Sequence, residues 1–262
     1  MTPLEPARGT WMSPFLGVAL ALLVALAGCT SLDKDPTAKW DADKLYSEAK
    51  DEMQIANWKK ARELLEKLEA RFPFGRYAQQ AQMEIAYTYY KEGESAQAVT
   101  AAERFLKLNP NHQNADYVQF LKGLALFNDD LGLFGRRFGR DPTSRDPKAM
   151  REAFDAFKEL VIKYPNSRYA AEATARMNYL VNALAQSEVN VARYYLLRGA
   201  YLAAIQRSQV ALREYAGAPA SEEALSIMVQ AYGSLGMENL RADAERVLLT
   251  NYPNSAFLKP EK

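Results

Sequence analysis

The sequence predicts an all-α chain of helical hairpins stacked end to end, and three observations predict it. Apolar residues recur at helical spacing along the chain, and no segment alternates convincingly as a strand would. Four proline motifs punctuate those segments: Phe72-Pro73, Asn109-Pro110, Tyr164-Pro165 and Tyr252-Pro253. Self-similarity extends beyond the prolines, since Phe72-Pro73-Phe74-Gly75-Arg76-Tyr77-Ala78 matches Tyr164-Pro165-Asn166-Ser167-Arg168-Tyr169-Ala170 at Pro, Arg, Tyr and Ala. A proline lacks an N–H and fixes φ, so each one closes a helix and opens the turn to the next.

The spacing identifies the repeat as the tetratricopeptide unit, a helix–turn–helix of about 34 residues with small residues where its helices touch and a proline at its end. Counting back from Pro73 puts Ala49 and Ala61 at the two small positions of a first repeat over about 41–75. A second, about 77–112, has Ala86 and Ala98 at those positions, Tyr89 as its aromatic and Gly93 in its turn. The third, about 115–166, pairs Gly123 with Ala153 across an inserted loop at 129–147. In the fourth, about 168–217, the stretch Arg168 to Arg198 has no Pro or Gly and reads as one long helix, turning at Gly199-Ala200 into a partner around Ala204. The fifth, about 221–255, keeps Tyr232 and Gly236 but has Arg241 where Ala is usual, as terminal repeats often vary. The expected fold is a right-handed superhelical solenoid of about five such repeats, because one helix pair cannot bury its apolar face alone.

Ahead of the repeats, the uncharged run Phe15 to Ala27 ends in Leu26-Ala27-Gly28-Cys29, which holds the only cysteine. This arrangement resembles the bacterial lipobox. The resemblance implies that residues 1–28 are a lipoprotein signal peptide, that Cys29 is acylated, and that 29–40 is a tether containing Pro36. Arg8 is opposed by Glu5 in the n-region, and Met12 is a second candidate initiator. The competing reading is a transmembrane anchor, but the run is shorter than the roughly 20 residues a spanning helix needs. Thr30, rather than Asp, follows the cysteine, which by the same resemblance favours the outer membrane with the protein on its periplasmic face.

Composition bounds the function. Lys plus Arg number 33 against 32 Asp plus Glu, and the basic stripe that a nucleic-acid binder needs is missing. The sole histidine, His112, sits in the turn after Pro110. No Cys/His spacing suits a metal, no Gly-rich loop cradles phosphate, and Asp129-Asp130 reads as a solvated pair. Neither an enzyme nor a cofactor is expected; a lytic transglycosylase would need a further catalytic domain.

Several motifs together are more specific than the repeat. They include Asn57-Trp58 leading into Ala61, Arg71-Phe72-Pro73-Phe74-Gly75 with Tyr77 and Gln79-Gln80, and Ala86-Tyr87 with Tyr89-Tyr90-Lys91. Arg104-Phe105, Leu108-Asn109-Pro110 and Asp116-Tyr117-Val118 follow, then Gly135, Arg145-Asp146-Pro147 and Tyr194-Tyr195 with Arg198-Gly199-Ala200. With the lipobox, this set resembles the BamD family of outer-membrane β-barrel assembly lipoproteins, called ComL in some bacteria. The resemblance implies membership of the BAM complex, docking on the POTRA domains of BamA, contact with other BAM lipoproteins, and receipt of unfolded outer-membrane β-barrel precursors. It places substrate on the N-terminal repeats and BamA on the C-terminal ones, at Arg198 with Tyr194 and Tyr195. The rival is another periplasmic repeat lipoprotein that scaffolds cell-wall enzymes or a secretin or pilus apparatus.

In a tetratricopeptide stack the first helix of each pair lines the concave face. The proline register then puts Tyr46, Lys50 and Met53 inward in the first repeat, Gln80, Met83, Tyr87, Tyr90 and Lys91 in the second, and Tyr117 and Phe120 in the third. Aromatic faces and adaptable thioethers suit an extended, aromatic-bearing strand precursor, and a lysine suits a terminal carboxylate. The same residues could equally pack between helices. The insertion, with Leu131, Leu133, Phe134 and Phe138 among arginines, reads either as a partner-binding loop or as a flap over the solenoid.

Overall fold

The prolines fall between helices, and the backbone before each shows why. A computed structural model describes residues 35–128 and 146–258. Phe72, Asn109, Tyr164 and Tyr252 all sit near φ −130° and ψ +60°, having left the helical region under the steric demand of the following proline. Each still donates its N–H to the carbonyl four residues back at 2.8 Å, so the helix closes with its last bond made. Tyr215 takes nearly the same conformation without a proline, ahead of Gly217 at φ +80°.

Ten α-helices result among the described residues. They are α1 (Ala42–Gln54), α2 (Trp58–Arg71), α3 (Arg76–Glu92), α4 (Ser95–Leu108), α5 (Ala115–Asn128), α6 (Pro147–Lys163), α7 (Ala170–Leu197), α8 (Tyr201–Glu214), α9 (Ser221–Ser234) and α10 (Glu238–Asn251). A short 3₁₀ turn, Ala256–Leu258, follows. Residues 35–41 belong to a unit separate from the helical one that begins at Ala42. Within the second unit each helix packs on its successor, and first helices also meet first helices, α1 with α3, α3 with α5, and α7 with α9. This is an all-α tetratricopeptide-type solenoid. Cys29 and residues 129–145 of the insertion lie outside the described residues.

Four of the hairpin turns close in one way. Asn57, Glu94, Ala200 and Met237 each donate N–H to the carbonyl five residues earlier, at 2.9–3.0 Å, and the residue before each sits at positive φ, which is a Schellman cap. Gly93 takes that position without strain at φ +83°, whereas the first pair uses Ala56 at φ +60°, where a Cβ costs about 1–2 kcal/mol. The α5–α6 pair starts its second helix differently: Asp146 caps it by accepting from the Lys148 N–H at 2.9 Å, and Pro147 occupies the first turn. Arg168 to Arg198 is indeed helical almost throughout, and α7 with its 28 residues is the longest element.

The small positions are where the helices cross. Ala49, Ala61, Ala86, Ala98, Ala153 and Ala204 are all buried. Around them lie the bulky core side chains Leu65, Leu68, Phe105, Phe157, Leu160 and Leu180. Gly123 makes the closest crossing: a Cβ built there would lie 2.5 Å from Cε1 of Phe157. That ring cannot swing away, since Phe120 and Phe127 hold it at centroid distances of 5.9 and 6.3 Å. In the last pair Arg241 replaces alanine, and its side chain fits because Gly233 opposite leaves room; a Cβ there would sit 3.1 Å from the Arg241 Cδ.

Gly123→Ala should therefore overpack the α5–α6 crossing and lower stability by about 1–3 kcal/mol in chemical denaturation. Adding Phe157→Leu should recover part of the loss. A neutral Gly123→Ala would mean that the crossing is looser than described.

Candidate functional site

Three successive first helices and the turn before a fourth enclose one cavity of about 380 Å³. From α1 come Lys50 and Met53, from α3 Gln80, Met83, Glu84 and Tyr87, from α5 Tyr117, and from the turns on either side Asn114, Arg168 and Tyr169. The volume lies within the roughly 300–1,000 Å³ span of ligand clefts. Helical geometry assembles it, since Gln80, Met83, Glu84 and Tyr87 follow at steps of three, one and three along one face of α3.

Polar contacts lock one side of the cavity. Lys50 Nζ donates to Glu84 Oε1 at 2.9 Å, joining α1 to α3, and Gln80 Nε2 donates to the same oxygen at 3.3 Å. Burial works to lower the basicity of Lys50, but the hydrogen bond and field of Glu84 outweigh it and hold the ammonium above its ordinary value. Tyr117 is shifted strongly upward, mainly by burial and next by the negative field of Glu84, so it remains a phenol.

Of the ten residues expected to face a groove, Lys50, Met53, Gln80, Met83, Tyr87 and Tyr117 line this cavity. Four do not. Phe120 is a core residue, 5% exposed, stacked on Tyr169 at 4.9 Å between centroids; one turn further along α5, its ring points into the α5–α6 crossing. Tyr46 lies at the α1–α3 seam, 5.6 Å from the Tyr77 ring, and Tyr90 packs on the cluster around Phe105 and Val118. Lys91 sits beyond the cavity, with Nζ 5.4 Å from the Trp58 ring centroid and 5.9 Å from that of Tyr87. Glu84, Asn114, Arg168 and Tyr169 were not expected. Glu84 carries a signal in sequence, being four residues from Gln80 on the same face, while Arg168 and Tyr169 belong to a motif that reads as turn punctuation.

A second surface lies at the end of α7. Tyr194 and Leu197 are exposed, and the Arg198 guanidinium lies 5.7 Å from the Tyr194 ring centroid. Tyr195, its ring centroid 5.8 Å from that of Tyr194, is half-buried against the core.

The chain was compared with known proteins. A family profile described as "YfiO: Outer membrane lipoprotein" matches residues 38–248. "Outer membrane protein assembly factor BamD" of Neisseria meningitidis serogroup A is 48% identical over 92% of both chains. The same-named proteins of Vibrio cholerae and Xylella fastidiosa strain Temecula1 are 37% and 36% identical, over 88% and 97% of this chain and 96% and 88% of theirs. The chain belongs to the BamD family. In this BamD-family member the cavity thus sits on the N-terminal hairpins and the Tyr194–Arg198 surface on the fourth.

Tyr117 gives the cavity a measurable signature. Its folded value lies above the unfolded 10.0, so the phenol form favours folding, fully below about pH 10 and progressively less as pH rises toward the folded value. Tyr117→Phe should flatten the alkaline decline in unfolding free energy. Parallel profiles for the two proteins above pH 10 would contradict the burial assigned to this ring.

Proposed function

We propose that this chain is a non-enzymatic outer-membrane protein assembly factor, tethered by acylated Cys29 to the periplasmic face of the outer membrane. Its fourth hairpin docks on the POTRA domains of BamA, and its N-terminal hairpins receive unfolded β-barrel precursors. The observation that carries this reading is the cavity: aromatic rings and two thioethers from three consecutive first helices, side by side on one surface of a chain whose relatives are named assembly factors. Tyr87 and Tyr117 offer flat apolar faces, and Met53 and Met83 adapt to varied side chains. The walls come from helices held by buried crossings, so the surface is formed before any precursor arrives.

Family membership supports the membrane location, and the lipobox at Leu26 to Cys29 supports the tether. The three acyl chains that the lipobox resemblance implies would exceed the two signals that stable attachment takes. For BamA, support comes from exposed Tyr194 and Arg198 at the α7–α8 turn, a cation on an aromatic ring with no carboxylate within 4 Å among the described residues. Such a pair gives a partner's acidic group a planar donor and an apolar face.

Arg198→Glu should reduce recovery of BamA with the tagged chain from detergent-solubilised envelopes at least several-fold, at unchanged helicity and melting temperature. Undiminished recovery would remove the interface from this turn, and recovery of cell-wall hydrolases in place of BamA would favour the scaffold alternative.

A further inference from the structure

Among the described residues Glu188 is the only charged residue that is buried, and it stands at a distinctive place in the stack. α7 has 28 residues, against 17 in α6 and 14 in α8. At 1.5 Å per residue α7 is about 42 Å long and α6 only about 25 Å. Because α6 runs back from the turn at which α7 begins, a helix of its length ends beside the stretch around Glu188. The rest of α7 is accompanied by α8, which folds back from Gly199-Ala200. Glu188 lies where one neighbour gives way to the other.

Both neighbours send an arginine to it. Arg207 of α8 donates from Nη1 to one carboxylate oxygen at 3.0 Å, and Nη2 of Arg151, near the start of α6, lies 3.9 Å from the other oxygen. Arg151 also donates to the hydroxyl of Tyr215, the residue that closes α8, at 3.3 Å. One carboxylate thus ties the third hairpin to the fourth. Packing alone does not call for a charge here, since Leu184, Ala185, Val189 and Ala192 around it on α7 are all buried and apolar.

We infer that Glu188 is a positioning residue, which fixes the angle between the hairpins that bear the cavity and those that bear the Tyr194–Arg198 surface. A buried ion pair adds little net stability over an apolar residue of similar size, so its use here is geometric. α7 belongs to both halves: its first part packs on the third hairpin, and its last turns carry Tyr194. With Arg151 and Arg207 reaching the same carboxylate from opposite halves, α7 is held in one line across the seam. This geometry is a property of the chain alone, whether or not the two surfaces bind what is proposed for them.

The test uses the full chain in detergent, with spin labels on unnatural side chains at Gln97 in the second hairpin and Asn239 in the fifth, both exposed, and reads their distance distribution by pulsed electron resonance. Wild type should give one narrow distribution. Glu188→Gln keeps the shape and leaves no unpaired charge buried, so the melting temperature should hold while the distribution broadens roughly twofold as α7 bends at the seam. Arg151→Gln should broaden it too, and the two effects should not add in the double variant, because both remove one contact. Glu188→Asp should restore part of the narrow distribution. Labels at Gln97 and Lys158, both before the seam, should stay narrow in every variant. If Glu188→Gln leaves the 97–239 distribution as narrow as wild type, Glu188 does not position the two halves. Broadening of both label pairs would show general loosening and would equally overturn the assignment.

Discussion

Close approach of paired helices at small residues is the constraint on which the rest of the structure depends. Where Ala49, Ala86 and Gly123 meet their neighbours, the backbones come near enough for the large side chains on either side to interlock. That interlocking orients α1, α3 and α5 side by side, and only then do Met53, Met83 and Tyr117, from three different hairpins, face one space. No single hairpin contains a site. The cavity is a property of stacking, so its walls inherit the rigidity of the core beneath them.

Electrostatics refine what stacking provides. Lys50 and Glu84 come from adjacent first helices, and their pairing both joins the hairpins and removes two charges from the lining. Because Lys50 is partly exposed, the pair adds only modestly to stability. Its larger consequence is selectivity, since it leaves a surface of amides, rings and thioethers with a single arginine at its rim. The fourth hairpin repeats the device in another setting, with Arg198 over Tyr194 on an exposed turn.

Much of the fold was legible in sequence because its determinants are local. A proline dictates the conformation of the residue before it, so Phe72, Asn109, Tyr164 and Tyr252 marked helix ends unaided. Alanines at fixed spacing marked the crossings. Ala56 was not legible, because its positive φ is imposed by the same cap that glycine serves in the other turns. The site was only partly readable for a related reason. Periodicity selects the face of a helix but not how deep each residue lies, so Phe120 resembled its neighbour Tyr117 until packing placed one in the core and the other, half-buried, on the cavity wall. Arg168 and the Lys50–Glu84 pair depend on residues far apart in sequence, which no local pattern encodes.

The most direct test of the account is site-specific photocrosslinking in growing cells. A photoreactive side chain at Asn114, on the rim of the cavity, is compared with one at Glu63, exposed on the second helix of the first hairpin. The account predicts adducts with newly made β-barrel precursors from position 114 and few or none from position 63. Equal labelling from both, or labelling from position 63 alone, would show that stacked first helices do not form the receiving surface.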